Sequence, residues 1–180
     1  MLRKNGFIRR SFRAAKQRLR RTLIEHGYCV RPRFLIIGAQ KAGTTSLFDY
    51  LSHHPYLVPS RQKEVCFFSN DELYQKGEAW YHSHFPMPYR VLKGSLAYEA
   101  TPEYLFYPQC PERIFQYNAG MKLIIILRDP VERAYSAWNM YRRFQKDPVN
   151  FRLAEFRNFE QAVSDELELI STTSRQDQPL

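Results

Sequence analysis

A short apolar strand followed by a glycine-bounded loop constrains this chain more than any other feature. Residues 34–37 form a continuous apolar run before Gly38, and residues 46–53 have the pattern of a helix that stops before Pro55. The segment between them reads Gly38-Ala39-Gln40-Lys41-Ala42-Gly43-Thr44-Thr45. Its two glycines let the backbone curl with N–H groups pointing inward, and the helix N-terminus adds partial positive charge. The pattern predicts a phosphate-binding loop.

The position of the lysine distinguishes this loop from the nucleotide-hydrolysing type. Gly38, Gly43 and Thr45 match the two glycines and the Ser/Thr of a Walker A loop, in which the lysine directly follows the second glycine. Thr44 occupies that position here, and Lys41 precedes Gly43 by two residues. The loop is therefore predicted to hold a different arrangement of anionic groups.

A second strand end carries a candidate phosphate ligand. Residues 123–127 are the clearest strand of the chain, and Asp129-Pro130 then has the pattern of a helix start. Ligands of open α/β sheets bind at the carboxyl ends of strands, where Arg128 can offer a bidentate fork to a phosphate. Ser136 follows about two helical turns later, and its hydroxyl is predicted to reach the same phosphate.

Strands and helices alternate along the rest of the chain. Further strands are predicted at 56–58 and 96–98, and further helices at about 71–81, 111–118 and 159–170, the last capped by Asn158. This order predicts an α/β fold with a P-loop-like parallel sheet and helices on both faces. The predicted organisation is a basic extension over 1–30, one domain over 31–170 and a polar tail over 171–180.

The positive charge of the chain is concentrated at its N-terminus. The formal net charge is +9, and residues 1–33 contain eleven Arg or Lys and a single acid, so the remainder is close to neutral. A nucleic-acid-binding domain would carry a basic face on the fold itself, so nucleic acid is not an expected partner.

The first thirty residues have the pattern of an amphipathic basic helix. Apolar residues recur at helical spacing between the basic ones, at Ile8, Phe12, Ala15, Leu19 and Leu23. We favour a helix that packs this stripe on the domain and exposes the rest. The alternative is peripheral contact with an anionic membrane surface through residues 1–24.

Compartment and metal content are inferred from what the sequence lacks. Cys29, Cys66 and Cys110 are scattered without a CxxC pair, which disfavours a zinc site and a disulfide framework. The sequence has neither an apolar run of membrane-spanning length nor a secretory signal, which predicts a cytoplasmic location.

Two segments together resemble the donor-binding segments of sulfotransferases that use 3′-phosphoadenosine 5′-phosphosulfate (PAPS). They are Arg33-Phe34-Leu35-Ile36-Ile37-Gly38-Ala39-Gln40-Lys41-Ala42-Gly43-Thr44-Thr45-Ser46-Leu47 and Leu127-Arg128-Asp129-Pro130-Val131-Glu132-Arg133-Ala134-Tyr135-Ser136. Three intervening motifs are similar to the branch of heparan sulfate sulfotransferases and their bacterial relatives: Lys63-Glu64-Val65-Cys66-Phe67-Phe68, Trp80-Tyr81 and Thr101-Pro102-Glu103-Tyr104. The resemblance covers about residues 33–170.

This resemblance implies a reaction and a role for each matched residue. PAPS would be the donor and a hydroxyl or amine, on a carbohydrate, the acceptor, with no metal required. Glu64 would be the general base, in a partly dry cleft that raises its pKa, and Arg128 and Ser136 would bind the 3′-phosphate. Lys41 would also offset charge developing on the bridging oxygen. The 5′-phosphosulfate would lie against Lys41, Ala42, Gly43, Thr44, Thr45 and Ser46.

The chain also departs from the family pattern. Cys66 replaces the histidine of glycan 3-O-sulfating members and Ala100 replaces a lysine found in several animal members, which leaves the acceptor open. Family members continue to a further lysine-bearing loop. A C-terminally truncated member is therefore expected, with weak donor binding, low solubility and turnover near background.

Two other functions remain open from the sequence. A P-loop nucleotide kinase or hydrolase would need the lysine just after Gly43 and would need Mg²⁺. An inactive PAPS-binding module, associated with a membrane through the basic helix, would bind the donor without turnover.

Overall fold

A computed structural model describes the backbone of residues 2–176 and the side chains of residues 14–172. The chain divides into two compact units, Met1–Leu127 and Arg128–Leu180. The predicted phosphate loop and Glu64 belong to the first unit, and Arg128 and Ser136 belong to the second.

The first unit is built on a parallel sheet, as the sequence predicts. Its strands are β1 (Pro32–Gly38), β2 (Leu57–Pro59), β3 (Leu96–Ala100) and β4 (Lys122–Ile125). They are ordered β2-β3-β1-β4, and every pairing is parallel. The carboxyl ends of all these strands therefore point toward one edge of the sheet.

Helices connect the strands. In the first unit they are α1 (Leu2–Glu25), α2 (Thr44–Ser52), α3 (Asp71–Tyr74), α4 (Gly77–His82) and α5 (Cys110–Tyr117). The single helix expected at about 71–81 is two short helices, because Gly77 has a φ of +76° and interrupts the turn. The Asn70 side chain accepts from the Leu73 N–H at 3.0 Å and caps the first of them.

The two faces of the sheet carry different cores. One core is aromatic and is filled largely by the segment after β2, with buried Phe67, Phe68, Tyr81 and Phe85. The other core is smaller, and there Leu47, Phe48 and Leu51 of α2 pack against Ile36, Tyr98 and Ala100. These packed faces hold β1 and β3 in place and leave the loops after the strands at the edge.

Strand β4 is shorter and less buried than its apolar sequence suggests. It ends at Ile125, and Leu123 and Ile125 are 49% and 48% exposed. In the described sheet β4 is the outer neighbour of β1, and Ile124 packs toward the smaller core.

Helix α1 docks through its last turns. Ile24 is buried, and the Arg20 guanidinium donates to the carbonyls of Ser83 and Phe85 at 2.7 and 2.9 Å. Leu19 is 62% exposed, so the prediction that the apolar stripe packs on the domain is wrong at this position. The side chains of Ile8 and Phe12 lie outside the described residues, Ala15 is exposed, and Leu23 is half-buried. Peripheral membrane contact through residues 1–24 stays a prediction.

The second unit consists of two helices joined by short 3₁₀ turns. They are α6 (Pro130–Arg143) and α7 (Phe159–Gln176). The predicted caps are confirmed, because Asp129 accepts from the Glu132 N–H and Asn158 accepts from the Gln161 N–H, both at 2.9 Å.

Helix α7 continues past the predicted end at residue 170. The Ser171 hydroxyl donates to the Glu168 carbonyl, and the Thr172 hydroxyl donates to the Leu169 carbonyl, each at 2.8 Å. These polar side chains therefore bond back onto the helix, where a loose tail was expected. The remainder of the predicted tail, residues 177–180, lies outside the described residues.

Candidate functional site

Three loops of the first unit leave the sheet at its carboxyl edge. Residues 39–43 follow β1, residues 60–69 follow β2, and residues 101–105 follow β3. Because these strands are parallel neighbours, the loops lie side by side, which is the arrangement that places ligand sites in open α/β sheets.

The loop after β1 is fixed at the peptide group that joins Gly38 and Ala39. The Ala39 N–H donates to the Ile126 carbonyl at 2.9 Å, and the Ile126 N–H donates to the Gly38 carbonyl at 2.8 Å. The Ala42 N–H donates back to the Ala39 carbonyl at 3.2 Å, which closes a tight turn. The loop is thus held between the ends of β1 and β4, as a phosphate-binding loop requires.

Three residues of this loop have positive φ. The angles are +156° at Gly38, +64° at Lys41 and +101° at Gly43. The glycines adopt such angles at little cost, but Lys41 lies in the left-handed region that non-glycine residues seldom occupy. Lys41 is therefore a strained position, and strain of this kind accumulates at functional sites.

The start of α2 faces the same loop. Gly43 is its N-cap, and no described side chain caps the helix. The first N–H groups of any α-helix have no acceptor within the helix, so those of Thr44, Thr45 and Ser46 suit an anion. Thr44 is buried, and Thr45 and Ser46 are exposed. Lys41, Ala42, Gly43 and these three residues thus lie together at one edge of the sheet, and their role in binding the donor stays a prediction.

Glu64 lies on the loop after β2, at the same edge. Its carboxylate accepts from the Lys63 ammonium at 3.0 Å, and the Glu64 side chain is 40% exposed. The partly dry cleft expected around Glu64 is therefore not observed, because this carboxylate is accessible to solvent. Its role as general base stays a prediction.

The buried carboxylate of this region is Glu99, at the end of β3. It is completely buried and accepts from the Tyr81 and Tyr104 hydroxyls at 2.8 Å each and from the Thr101 hydroxyl at 2.9 Å. The Val65 N–H donates to it as well. Burial raises the pKa of Glu99, and these hydrogen bonds oppose that rise.

Sequence reasoning did not assign a role to Glu99. The available signal was an acid inside a strand otherwise composed of Leu96, Ala97, Tyr98 and Ala100, because acids are rarely placed in buried strands. Two of its partners, Val65 and Tyr81, come from distant positions in the chain, so neither spacing nor periodicity could identify them.

Thr101 connects the Glu64 loop to β1. Its hydroxyl accepts from the Cys66 N–H at 3.3 Å, and its own N–H donates to the Ile36 carbonyl at 3.1 Å. Because Ile36 stands two residues before Gly38, the loop that carries Glu64 and the phosphate loop are joined through one residue. The structure therefore brings these two predicted parts of the site to the same edge.

Cys66 is a second polar residue of the Glu64 loop. Its φ is +56°, and its thiol is hydrogen bonded to Glu103. The pKa of this thiol is raised far above its usual value. Burial is the largest cause, and the nearby Glu103 carboxylate is the second. The Ser69 hydroxyl also donates to Glu103. Cys66 is thus a protonated thiol, not a nucleophilic thiolate.

Arg128 and Ser136 lie in the second unit. Arg128 precedes the N-cap of α6 and is ion-paired with Glu132 at 3.0 Å, and its side chain is 40% exposed. Ser136 is half-buried on α6. Their role in holding a phosphate together stays a prediction.

A further concave surface of the first unit lies away from these loops. A surface cavity of about 600 Å³ lies at the amino end of the sheet, against Arg33, Phe34 and Lys122, away from the loops described above. Between residues 2 and 176 the structure contains no cluster of three or more His, Cys, Asp or Glu able to hold a metal ion. No helix in that range is long and apolar enough to cross a bilayer.

Comparison with known proteins shows that the chain is similar to sulfotransferases. The sulfotransferase domain family matches residues 31–171. Human heparan sulfate glucosamine 3-O-sulfotransferase 5 is 41% identical over 105 residues, which are 58% of this chain and 29% of that protein. The membrane-associated sulfotransferase kil1 of Dictyostelium discoideum is 34% identical over 148 residues, 80% of this chain and 30% of that protein.

A solved structure is similar in fold and sequence. The sulfotransferase from Alicyclobacillus acidocaldarius has a TM-score of 0.61 and 30% identity, covering 79% of this chain and 60% of its own. The chain spans under a third of the length of the human and Dictyostelium relatives named above.

Replacing Gly38 by alanine is expected to disrupt the phosphate loop. A Cβ there would lie 2.8 Å from the Leu105 Cβ and 3.1 Å from the Pro102 carbonyl oxygen. We expect Gly38→Ala to lower the free energy of unfolding by about 1 to 3 kcal/mol, measured by urea denaturation. Gly120→Ala is the control, because its Cβ would make an ordinary contact of 3.5 Å with Asn118. Equal stability of the two variants would contradict the close approach at Gly38.

Proposed function

This chain belongs to the sulfotransferase family, and from that premise we propose that it transfers a sulfuryl group from PAPS to a hydroxyl or amine of a carbohydrate. The observation that carries the proposal is the Lys41 loop at the end of β1, joined through Thr101 to the loop that bears Glu64. An anion site and a candidate base are thereby presented at one edge of the sheet.

The 5′-phosphosulfate of the donor is assigned to the loop after β1. The N–H groups of residues 43–46 and the Lys41 ammonium would hold its oxygens beside Ala42, and the start of α2 would add its partial charge. Support comes from the curled backbone at Gly38 and Gly43 and from the glycine cap of α2.

The 3′-phosphate of the donor is assigned to Arg128 and Ser136. One observed partner of Arg128 is Glu132, one helical turn away and 67% exposed. Ion pairs this exposed contribute little, so a phosphate can replace the carboxylate at small cost and gain a bidentate contact.

Transfer needs one proton acceptor and stabilisation of the leaving group. Glu64 would take the proton of the acceptor hydroxyl or amine as its oxygen or nitrogen forms a bond to sulfur. The bond between sulfur and the bridging oxygen breaks, its electron pair stays on that oxygen, and 3′-phosphoadenosine 5′-phosphate leaves. Lys41 would offset the charge that develops there. In this proposal Lys41, Arg128 and backbone N–H groups neutralise the donor without a metal ion.

Two alternatives are distinguished by simple observations. A nucleotide kinase or hydrolase would require Mg²⁺ for nucleotide binding, and its lysine would stand where Thr44 is. An inactive donor-binding module would bind the nucleotide without turnover. The cytoplasmic location inferred from the sequence stays a prediction.

Binding of the desulfated donor tests the two phosphate subsites. We expect 3′-phosphoadenosine 5′-phosphate to raise the melting temperature without Mg²⁺, and ATP to do so much less because it lacks the 3′-phosphate that Arg128 would bind. Thermal shift assays with both nucleotides, with and without EDTA, measure this. Equal shifts for both nucleotides would reject the assignment of Arg128 and Ser136.

Two substitutions separate donor binding from proton transfer. In the full-length protein, we expect Lys41→Ala to weaken donor binding and slow transfer, and Glu64→Gln to keep donor affinity while lowering kcat by about 10²- to 10⁴-fold. A transfer assay with radiolabelled donor gives both constants. Lys93→Ala and Glu72→Gln, which change exposed residues elsewhere in the same unit, are the matched controls. Full turnover by Glu64→Gln would place the base at another residue.

A membrane surface is the second partner in this proposal, through the basic residues of 1–24. Helix α1 is continuous over Leu2–Glu25, and Leu19 is exposed. We expect co-sedimentation with vesicles containing anionic lipid, weaker binding to neutral vesicles, and loss of binding at high salt. Leu19→Asp should weaken binding, with Leu167→Asp, at an exposed position of α7, as the control. Equal sedimentation with both vesicle types would exclude an electrostatic contact.

A further inference from the structure

The loop that carries Glu64 is held by one buried hydrogen-bond network. The Val65 N–H donates to the Glu99 carboxylate, the Cys66 N–H donates to the Thr101 hydroxyl, and the Phe68 N–H donates to the Tyr104 hydroxyl at 3.4 Å. Thr101 and Tyr104 in turn donate to Glu99. The Val65 N–H therefore donates to Glu99 directly, and the other two N–H groups are linked to the same carboxylate through one hydroxyl each.

We propose that Glu99 is a positioning residue of the active site, which fixes the backbone after Glu64 and so sets the place of that carboxylate. The inference rests on the proposed function, because Glu64 matters as a base only if the chain transfers sulfate. Glu99 is completely buried and does not contact the reactants in this account.

The direction of the hydrogen bonds explains why a carboxylate stands here. A carboxylate only accepts, so the Thr101 and Tyr104 hydroxyls must point their hydrogens toward it. Their oxygen lone pairs are then left for the N–H groups of Cys66 and Phe68. The acceptor oxygens of Glu99 thus set the direction of both hydroxyls, and that direction makes the hydroxyl oxygens acceptors for the loop.

A neutral amide of the same shape would not preserve this polarity. Glutamine has one oxygen and one NH₂ donor, so at least one hydroxyl of the network would face a donor and would have to turn. If the Thr101 or Tyr104 hydroxyl turns, its oxygen accepts from the amide and competes with the loop N–H. We therefore expect the substitution to weaken the hydrogen bonds of residues 65–68 more than those of the strands.

The partners of Glu99 also fit positioning more closely than fold stabilisation. The four groups bonded to it are neutral donors: Tyr81, Tyr104, Thr101 and the Val65 N–H. A buried carboxylate served only by neutral donors costs desolvation energy that a hydrophobic side chain would avoid. The desolvation energy is offset by function if these hydrogen bonds hold the backbone of residues 65–68 in one conformation. Misplacement of a reacting group by about 1 Å can slow a reaction about 100-fold.

Amide hydrogen exchange, read residue by residue by NMR, tests the inference without requiring turnover. We expect Glu99→Gln to raise exchange at Val65, Cys66 and Phe68 by about tenfold or more, with exchange in β1 and β3 unchanged. Thr101→Val should raise it mainly at Cys66, and Tyr104→Phe mainly at Phe68. These two variants each remove a single oxygen and carry the test if Glu99→Gln does not fold.

Tyr98→Phe is the matched control. It removes another buried hydroxyl from β3, but that hydroxyl donates to the Phe48 carbonyl of α2 at 2.7 Å, on the opposite face of the sheet. We expect exchange at residues 65–68 to stay at the parent value in this variant. Unchanged exchange there in Glu99→Gln, or a uniform rise through the whole sheet, would overturn the positioning role.

Kinetics give the second test. In the radiolabelled-donor assay of the full-length protein we expect Glu99→Gln to lower kcat by about 10- to 100-fold with the donor KM within about twofold of the parent value. A raised donor KM with unchanged kcat would overturn the inference. Absence of transfer and of nucleotide binding in the parent protein would instead count against the proposed function, and the inference would fail with it as a statement about an active site.

Discussion

The hydrogen bond from the Thr101 N–H to the Ile36 carbonyl is the contact on which the rest of the site depends. It extends the pairing of β1 and β3 one residue beyond β3, so the chain leaves both strands at the same level. The Thr101 side chain then holds the Cys66 N–H on one side and Glu99 on the other. Without the Thr101 hydroxyl, the Cys66 N–H would lose its acceptor, and the spacing of the two loops would depend on the Val65 and Phe68 contacts.

The parts of the fold that could be predicted are those written in short stretches of sequence. The strand, loop and helix around Gly38, and the caps at Asp129 and Asn158, depend on residues within a few positions of one another. The break at Gly77 was missed because a glycine inside a helical pattern can be tolerated. Its φ of +76° shows that the backbone here needs the conformation that glycine allows.

The parts that could not be predicted depend on contacts between distant residues. Glu99 is surrounded by groups from positions 65, 81, 101 and 104, which only the folded chain assembles. Arg20 bonds carbonyls more than sixty residues away, so periodicity predicted a helix but not its packed face. For Glu64, the family resemblance supplied a role, whereas its exposure and its pairing with Lys63 had to be observed.

At Lys41, the stability of the backbone and the proposed binding of an anion favour different residues. Its φ of +64° is a conformation that glycine would adopt with less strain, so a chain selected for stability alone would replace the lysine. Under the proposed function, a lysine at this position contributes its ammonium group to anion binding at the expense of folding. Among homologous chains, loss of the cation at this position would therefore mark lineages in which anion binding is no longer maintained, even where the surrounding glycines and the fold persist.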